Sequence, residues 1–318
     1  MATGVLHYGL SALISFVIFS MLSINITVIY FFVRGRLYKS TKNPLYAILM
    51  YNICCGTAQN LTHIFFVLPL VILQKPIIPK DSTTMAFLAV WFLHLWYNAT
   101  FVHIIMAVNR VSAICWKEIN AYFTLKNIFL MLITITCLGV GTSLYTQHYS
   151  PCCRIYFEPI TYGYMYMPNH GKNLSYNFSQ LIIDLPMEFA VSIICISSYI
   201  WVFLYIYRMK QKAELKDRSH RREIMCCIQC CLVFSFYSFT WASFHIMPRL
   251  GFTTLEPFAF TTIVYNIDCG INSIVLIINN EEVRRQMKST ISKVTAGRYD
   301  TSCSKKDESN ISHSHIDH

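Results

Sequence analysis

The run Leu10-Ser-Ala-Leu-Ile-Ser-Phe-Val-Ile-Phe-Ser-Met-Leu-Ser-Ile-Asn-Ile-Thr-Val-Ile-Tyr-Phe-Phe-Val33 decides the architecture. Nothing in it is charged, and residues 1–33 hold no Lys, Arg, Asp or Glu at all. A segment of about 20 predominantly apolar residues is long enough to cross the hydrocarbon core of a bilayer as a helix. The stretch lacks a basic n-region and a small-residue cleavage site, so it reads as a retained first span and not as a signal peptide.

Six further apolar stretches follow, giving spans at Leu10–Val33, Pro44–Leu73, Thr84–Val108, Asn127–Tyr145, Asn177–Tyr207, Ile224–Met247 and Phe258–Ile278. Hydrophobic residues make up 54% of the 318 and charged residues only 13%, about half the charged share of an ordinary soluble domain. A soluble fold has too little interior to hide that much apolar surface. Lipid offers the backbone no hydrogen-bond partner, so each span must be helical. The fold expected is an all-α membrane protein, a seven-transmembrane helix bundle plus a short amphipathic eighth helix. The net charge of +10 lies on short clusters between spans. It suits contact with membrane lipids bearing anionic headgroups and not nucleic acid.

Orientation follows from Lys and Arg. The side holding the N-terminus and the loops after spans two, four and six carries Lys75, Lys80, Arg154, Lys172 and Arg249; the other side carries the remaining 21 of 26. Cytoplasmic loops carry the excess of positive charge. The expectation is a plasma-membrane, multi-pass protein with an extracellular N-terminus and a cytoplasmic C-terminus. The sequons at Asn173 and Asn177 fall in or beside the long outer loop, where glycosylation is expected. A receptor domain at 1–287 precedes a polar, Ser-rich tail at 288–318, expected to be disordered beyond Lys293.

Ionisable groups inside spans are expensive and mark function by default. Arg110 closes span three after Asn109; read alone, it is also what a charge snorkelling to the inner surface looks like. Glu223 opens span six. Asp184 and Glu188 flank Pro186 in span five. Asp268 lies mid-way along span seven, where a bond to Asn272, Asn266 or Asn52 is expected. Nine of the thirteen cysteines lie in apolar stretches and read as small hydrophobes. The doubled pair Cys226, Cys227, Cys230 and Cys231 starts a membrane helix, so filler or palmitoylation fits it better than zinc. The sequence calls for no cofactor and no metal.

These residues resemble the rhodopsin-like G-protein-coupled receptors. Asn109-Arg110 is similar to that family's Asp-Arg-Tyr motif. Asn25 resembles its helix-one Gly-Asn signature. The run from Asn272 to Arg284-Arg285 follows, without a gap, the family's stretch from Asn-Pro-x-x-Tyr into the eighth helix. Pro186 and Trp241 sit where the family carries proline in helix five and tryptophan in helix six. Within the family the variant motifs look most like nematode chemoreceptors, and among those serpentine receptor class X. There are departures. No cysteine lies near Met85 to tie the outer loop to helix three, so Cys152 and Cys153 stand as free thiols, a vicinal bridge or an intermolecular bond. Proline is missing after Trp241, Leu276 replaces the helix-seven tyrosine, and Asn52 or Ile53 replaces the helix-two acid.

The resemblance implies a chemosensory receptor that binds an extracellular small molecule or peptide ligand and activates a heterotrimeric G protein. Candidate ligand residues are Phe92, Trp96, Gln180, Asp184, Trp241, His245, Thr262 and Tyr265. Phe92 occupies the place where amine receptors of the family carry Asp, which argues against a biogenic amine, while Asp184 keeps a cation open. Candidate switch and coupling residues are Asn109, Arg110, Glu223, Asp268, Asn272 and Arg284, with Arg110 pairing Glu223 at rest. The rivals are weaker. A ligand-gated channel or transporter lacks support from matching halves. A retinal-linked pump needs a lysine in span seven, and there is none. An enzyme would need His63, His94 and His103 in a metal pattern, and they form none.

Overall fold

The computed structural model describes residues 4–39, 44–150, 153–167, 177–211, 218–250, 256–289 and 292. Seven helices are long and apolar enough to cross a membrane. They are α1 (Gly4–Arg34), α2 (Leu45–Leu73), α3 (Thr83–Cys115), α4 (Leu125–Tyr149), α5 (Gln180–Met209), α6 (Arg218–Ile246) and α7 (Glu256–Asn279). A further helix, α8, covers 281–289. The expected bundle is present with its eighth helix. The expected loop Thr146–Tyr176 is not wholly irregular: β1 (Arg154–Glu158) pairs antiparallel with β2 (Gly163–Met167), from Arg154 opposite Met167 to Glu158 opposite Gly163.

The helix ends are set by side chains that accept the first unpaired N–H groups. Ser82 accepts from Met85 N at 3.1 Å to start α3, and Thr124 from Asn127 N at 3.3 Å to start α4. Asn177 accepts from Gln180 N at 3.1 Å ahead of α5. Asn280 accepts from both Glu282 N and Val283 N at 3.1 Å to start α8. Within α8, Val283 is buried while Glu281, Arg285 and Lys288 face outward. Tyr46 at the start of α2 donates to Asn280 Oδ1 at 3.2 Å and Glu282 Oε2 at 2.9 Å.

α3 is the hub, packed against α2, α4, α5 and α6, while α7 packs against α1, α2 and α6. These two are the most buried of the spans. α1, α4 and α5 instead present large apolar side chains outward, including Phe16, Phe129, Leu130, Ile196 and Trp201, as lipid-facing helices should. Where α2 meets α7, Gly56 lets the backbones close in: a Cβ there would lie 2.2 Å from the Cys269 carbonyl oxygen. Asn25 fixes the same seam from α1. Its Nδ2 donates to Cys269 O at 3.0 Å, and its Oδ1 accepts from Ser273 at 2.6 Å.

Three helices contain a widened π turn: His63–Val67 in α2, Tyr145–Tyr149 closing α4, and Gln180–Asp184 opening α5. Such turns cluster at functional sites. All three touch the hairpin. His63 Nε2 meets the Tyr164 hydroxyl at 2.5 Å, Gln147 Oε1 accepts from Ile155 N at 3.0 Å, and Asp184 Oδ2 accepts from Tyr166 at 3.4 Å.

Some boundaries differ from expectation. α3 runs on through Ser112, Ala113 and Ile114 to Cys115, so Arg110 lies inside the helix and does not end it. It is 2% exposed, which removes the reading of a snorkelling stop charge. Asn177 spends its side chain on the α5 cap, and its Nδ2, the glycan attachment atom, is buried. The geometry favours a cap there over a sugar. Cys153 is disulfide-bonded, with a partner outside the described residues, so it is not a free thiol. Asn173, Cys152, Cys303 and the tail beyond Lys293 also lie outside the described residues.

Candidate functional site

Beneath the hairpin, α3, α5, α6 and α7 enclose a cavity of about 210 Å³. α3 contributes Phe92 and Trp96, four residues apart and therefore on one face. α5 contributes Gln180, Asp184 and Glu188, a polar stripe at the same spacing. Pro186 donates no N–H, which frees the preceding turn to widen. α6 supplies Phe244 and His245, α7 supplies Phe258 and Thr261, and the hairpin roofs the space with Ile155, Tyr164 and Tyr166.

The roof is bolted on by its tyrosines. Residues two apart on a strand share a face, so Tyr164 and Tyr166 both point into the bundle, opposite Phe157 and Ile155. Tyr164 stacks on Phe92 with ring centroids 4.2 Å apart. Asn266 Nδ2 donates to Thr262 O at 2.7 Å, which turns its Oδ1 toward His63 Nδ1, 2.5 Å away. Nδ1 therefore carries the proton, and Nε2 accepts from Tyr164. Burial lifts the Tyr164 hydroxyl far above the ordinary phenol range. Burial does the same for Tyr166, helped by the Asp184 and Glu188 carboxylates, so both remain neutral donors. The hairpin turn is held from α7, where Thr262 donates to Tyr162 O at 2.6 Å. Tyr162 adopts the left-handed φ of 58°, and a Cβ on the following Gly163 would meet Phe258 Cβ at 2.9 Å. On the outer face Lys80 pairs with Glu158 at 2.5 Å and lies 4.5 Å over the Tyr156 ring. The hydrogen bond to Glu158 raises the Lys80 pKa.

Inside, polar groups gather on the two acids. Tyr97 donates to Asp184 Oδ1 at 2.5 Å, and Trp96 Nε1 donates to Glu188 Oε1 at 2.7 Å. His245 Nε2 stands 3.7 Å from Glu188 Oε2.

At the opposite end, Arg110 is buried on α3, with its guanidinium donating to Asn109 Oδ1. Cys226, Cys227 and Cys230 of α6 are buried and serve as packing there. Glu223 lies on α6, but its side chain is outside the described residues. Arg284 donates to Ile278 O and ties α8 to the end of α7. Asp268 is half-buried, and among the described residues no hydrogen bond joins it to Asn272, Asn266 or Asn52 as expected. Asn266 is committed to His63, while Asn272 is buried with both amide atoms lacking a hydrogen bond.

The sequence matches the family described as serpentine type 7TM GPCR chemoreceptor Srx over residues 16–280. The chain belongs to that family. The receptor also shares its fold with squid rhodopsin: a crystal structure of that protein superposes with a TM-score of 0.72 at 13% identity, covering 92% of this chain and 87% of the other. No curated protein matches the sequence significantly. Family and fold together make this a G-protein-coupled chemosensory receptor with seven membrane helices, and they disfavour the channel or transporter.

Five of the eight ligand candidates line the receptor's cavity: Phe92, Trp96, Gln180, Asp184 and His245. Three do not. Tyr265 is fully buried among Phe92, Trp96 and Tyr164. Thr262 holds the hairpin. Trp241 lies one turn from His245, with rings 5.3 Å apart. Glu188 and the roof were not among the candidates. Glu188 follows from Asp184 by one helical turn. The roof had a strand signal in Ile155-Tyr-Phe157 and Tyr164-Met-Tyr166, two aromatic and β-branched runs around a Pro-containing turn.

Proposed function

We propose that the cavity under the hairpin is the ligand site and that its occupancy is read out at the Arg110 end. The observation that carries this is the roofed cavity itself, mostly aromatic with a few placed polar groups, as small-molecule sites usually are. Its 210 Å³ falls below the ~300–1,000 Å³ of drug-sized sites, which supports a small molecule over a peptide. The positive charge between spans supports a plasma-membrane protein with the N-terminus and hairpin outside and the tail inside, after a domain at 1–287. Membrane lipids surround the outward apolar belt.

At rest Arg110 pairs with Glu223 and holds the inner ends of α3 and α6 together. A ligand that binds the opened bundle better shifts the population toward it. The heterotrimeric G protein then docks between the basic segment Arg208–Arg222 and the α8 edge at Arg284. Asp268 and the unbonded amide of Asn272 are the polar groups free to exchange partners as α7 moves. The protein acts by this coupling and not by a reaction of its own.

The test is a screen of cells expressing the receptor with small molecules and peptides, reading G-protein activation beside an Arg110→Ala control at equal surface expression. A response lost in the variant supports coupling through Arg110. A response that survives removes Arg110 from the mechanism.

A further inference from the structure

The described lining of the cavity includes two buried acids and neither lysine nor arginine. Asp184 and Glu188 are 5% and 2% exposed and stand one turn apart on α5. Asp184 is satisfied at both oxygens, by Tyr97 and Tyr166. Glu188 is not: Trp96 serves Oε1, but Oε2 is buried and accepts no hydrogen bond. The facing ring does not supply one. His245 Nδ1 donates to Trp241 O at 3.2 Å, and its Nε2 stands 3.7 Å from Glu188 Oε2, too far for a hydrogen bond. Among the described residues no Lys or Arg lines the cavity. Among the described lining residues, two acids face one histidine. A buried carboxylate with an unfilled acceptor is costly until a cation or donor reaches it.

We infer that the cavity takes a small organic monocation, a protonated amine with an aromatic or apolar body, whose nitrogen sits against Glu188 Oε2 and Asp184. The walls suit such a body. Phe92, Trp96, Tyr164 and Phe244 crowd around the space, with Trp96 and Phe244 rings 6.1 Å apart, and aromatic faces attract cations as well as apolar surface. A donor on the ammonium fills the acceptor that the protein leaves open. The acid lies on α5 and not at Phe92, so the objection raised by the α3 position does not apply. This inference rests on the cavity being the ligand site.

The test uses purified full-length receptor in lipid nanodiscs and four matched probes: phenethylamine, its N-trimethyl quaternary analogue, neutral 3-phenylpropan-1-ol and anionic 3-phenylpropionate. Binding is read directly by thermal shift and calorimetry, without a G protein. Phenethylamine should bind; the quaternary analogue keeps the charge but has no N–H for Oε2 and should bind more weakly, with the neutral and anionic probes roughly ten- to a hundredfold weaker than phenethylamine. Glu188→Gln should weaken the cations by a similar factor and leave the alcohol unchanged; Asp184→Asn supplies a second isosteric check should the first variant fold poorly. Preference for the alcohol or the carboxylate, or no binding by any probe, overturns the cation while the ligand site stands. Cation binding that survives Glu188→Gln, Asp184→Asn and the bulky Phe92→Trp places the site elsewhere and sinks the underlying reading too.

Discussion

Tyr164→Phe isolates one hydroxyl in the most connected part of the roof. The ring keeps its stack on Phe92, 4.2 Å between centroids. What is lost is the donor to His63 Nε2, and that nitrogen becomes a buried acceptor with no partner, because Nδ1 is committed to Asn266. Stranding a buried polar atom costs about 1–3 kcal/mol. In domains of 150–250 residues each kcal/mol moves the melting temperature by about 2–4 °C. A chain of 318 residues sits at the low end, so the drop should be about 2–6 °C. A thiol-reactive dye suits the measurement, since Cys195, Cys227 and Cys230 are free and fully buried until the bundle opens. His63→Leu removes the other partner, and the double variant leaves neither atom stranded. The two single losses should therefore exceed the double by about 1–3 kcal/mol. A melting temperature within 1 °C of the parent, or strict additivity in that cycle, refutes the idea that this bond pins the roof.

Gly56→Ala should cost about 1–3 kcal/mol or more and cut surface expression, because the new Cβ meets a backbone oxygen at 2.2 Å. Gly141→Ala, with nothing within 4 Å, is the control; equal effects would dismiss the close approach. Glu223→Gln should raise ligand-independent signalling at equal surface expression, and unchanged basal activity counts against its pairing with Arg110. The Lys80–Glu158 pair should matter little near neutrality, as half-exposed pairs do. Its sign with pH is fixed, because the Lys80 pKa is raised in the folded protein. The contribution is fully present below the unfolded lysine value and lost as pH climbs through the folded one. The melting difference between parent and Lys80→Met should stay constant from about pH 6 to 9 and fall only once the pH passes the ordinary lysine value of about 10.4; a difference that fades below pH 9 would reject the assignment.

The bundle was legible because lipid imposes a crude demand, long apolar runs separated by charge, and Leu10–Val33 meets it without ambiguity. The depth of Arg110 was not. Ser112, Ala113, Ile114 and Cys115 continue a helix as readily as they begin a loop, and an arginine there looks like a boundary until its burial is known. That Asp268 bonds none of the three amides expected for it was equally hidden, because helix rotation decides which polar groups meet, and His63 takes Asn266. Gln180, Asp184 and Glu188 were readable as a stripe once α5 was placed. The roof was missed because a hydrophobic loop in a hydrophobic chain gives little contrast, although Tyr164-Met-Tyr166 carries strand composition.

The three widened turns have a consequence for how such a receptor diversifies. A π turn holds one residue more than the α-helical turn it replaces, and each residue in a helix is worth about 100° of rotation. The parts of α2 on either side of His63–Val67 are thus out of phase by an inserted residue, while the turns that close α4 and open α5 reset the direction in which those helices meet the hairpin. Single-residue insertions and deletions near His63, Gln147 or Asp184 can be absorbed by closing or opening such a turn. On the proposed reading, the ligand mouth then changes its lining in large angular steps while the Arg110 half keeps its register, so a repertoire of ligand specificities can be sampled without rebuilding the coupling end each time.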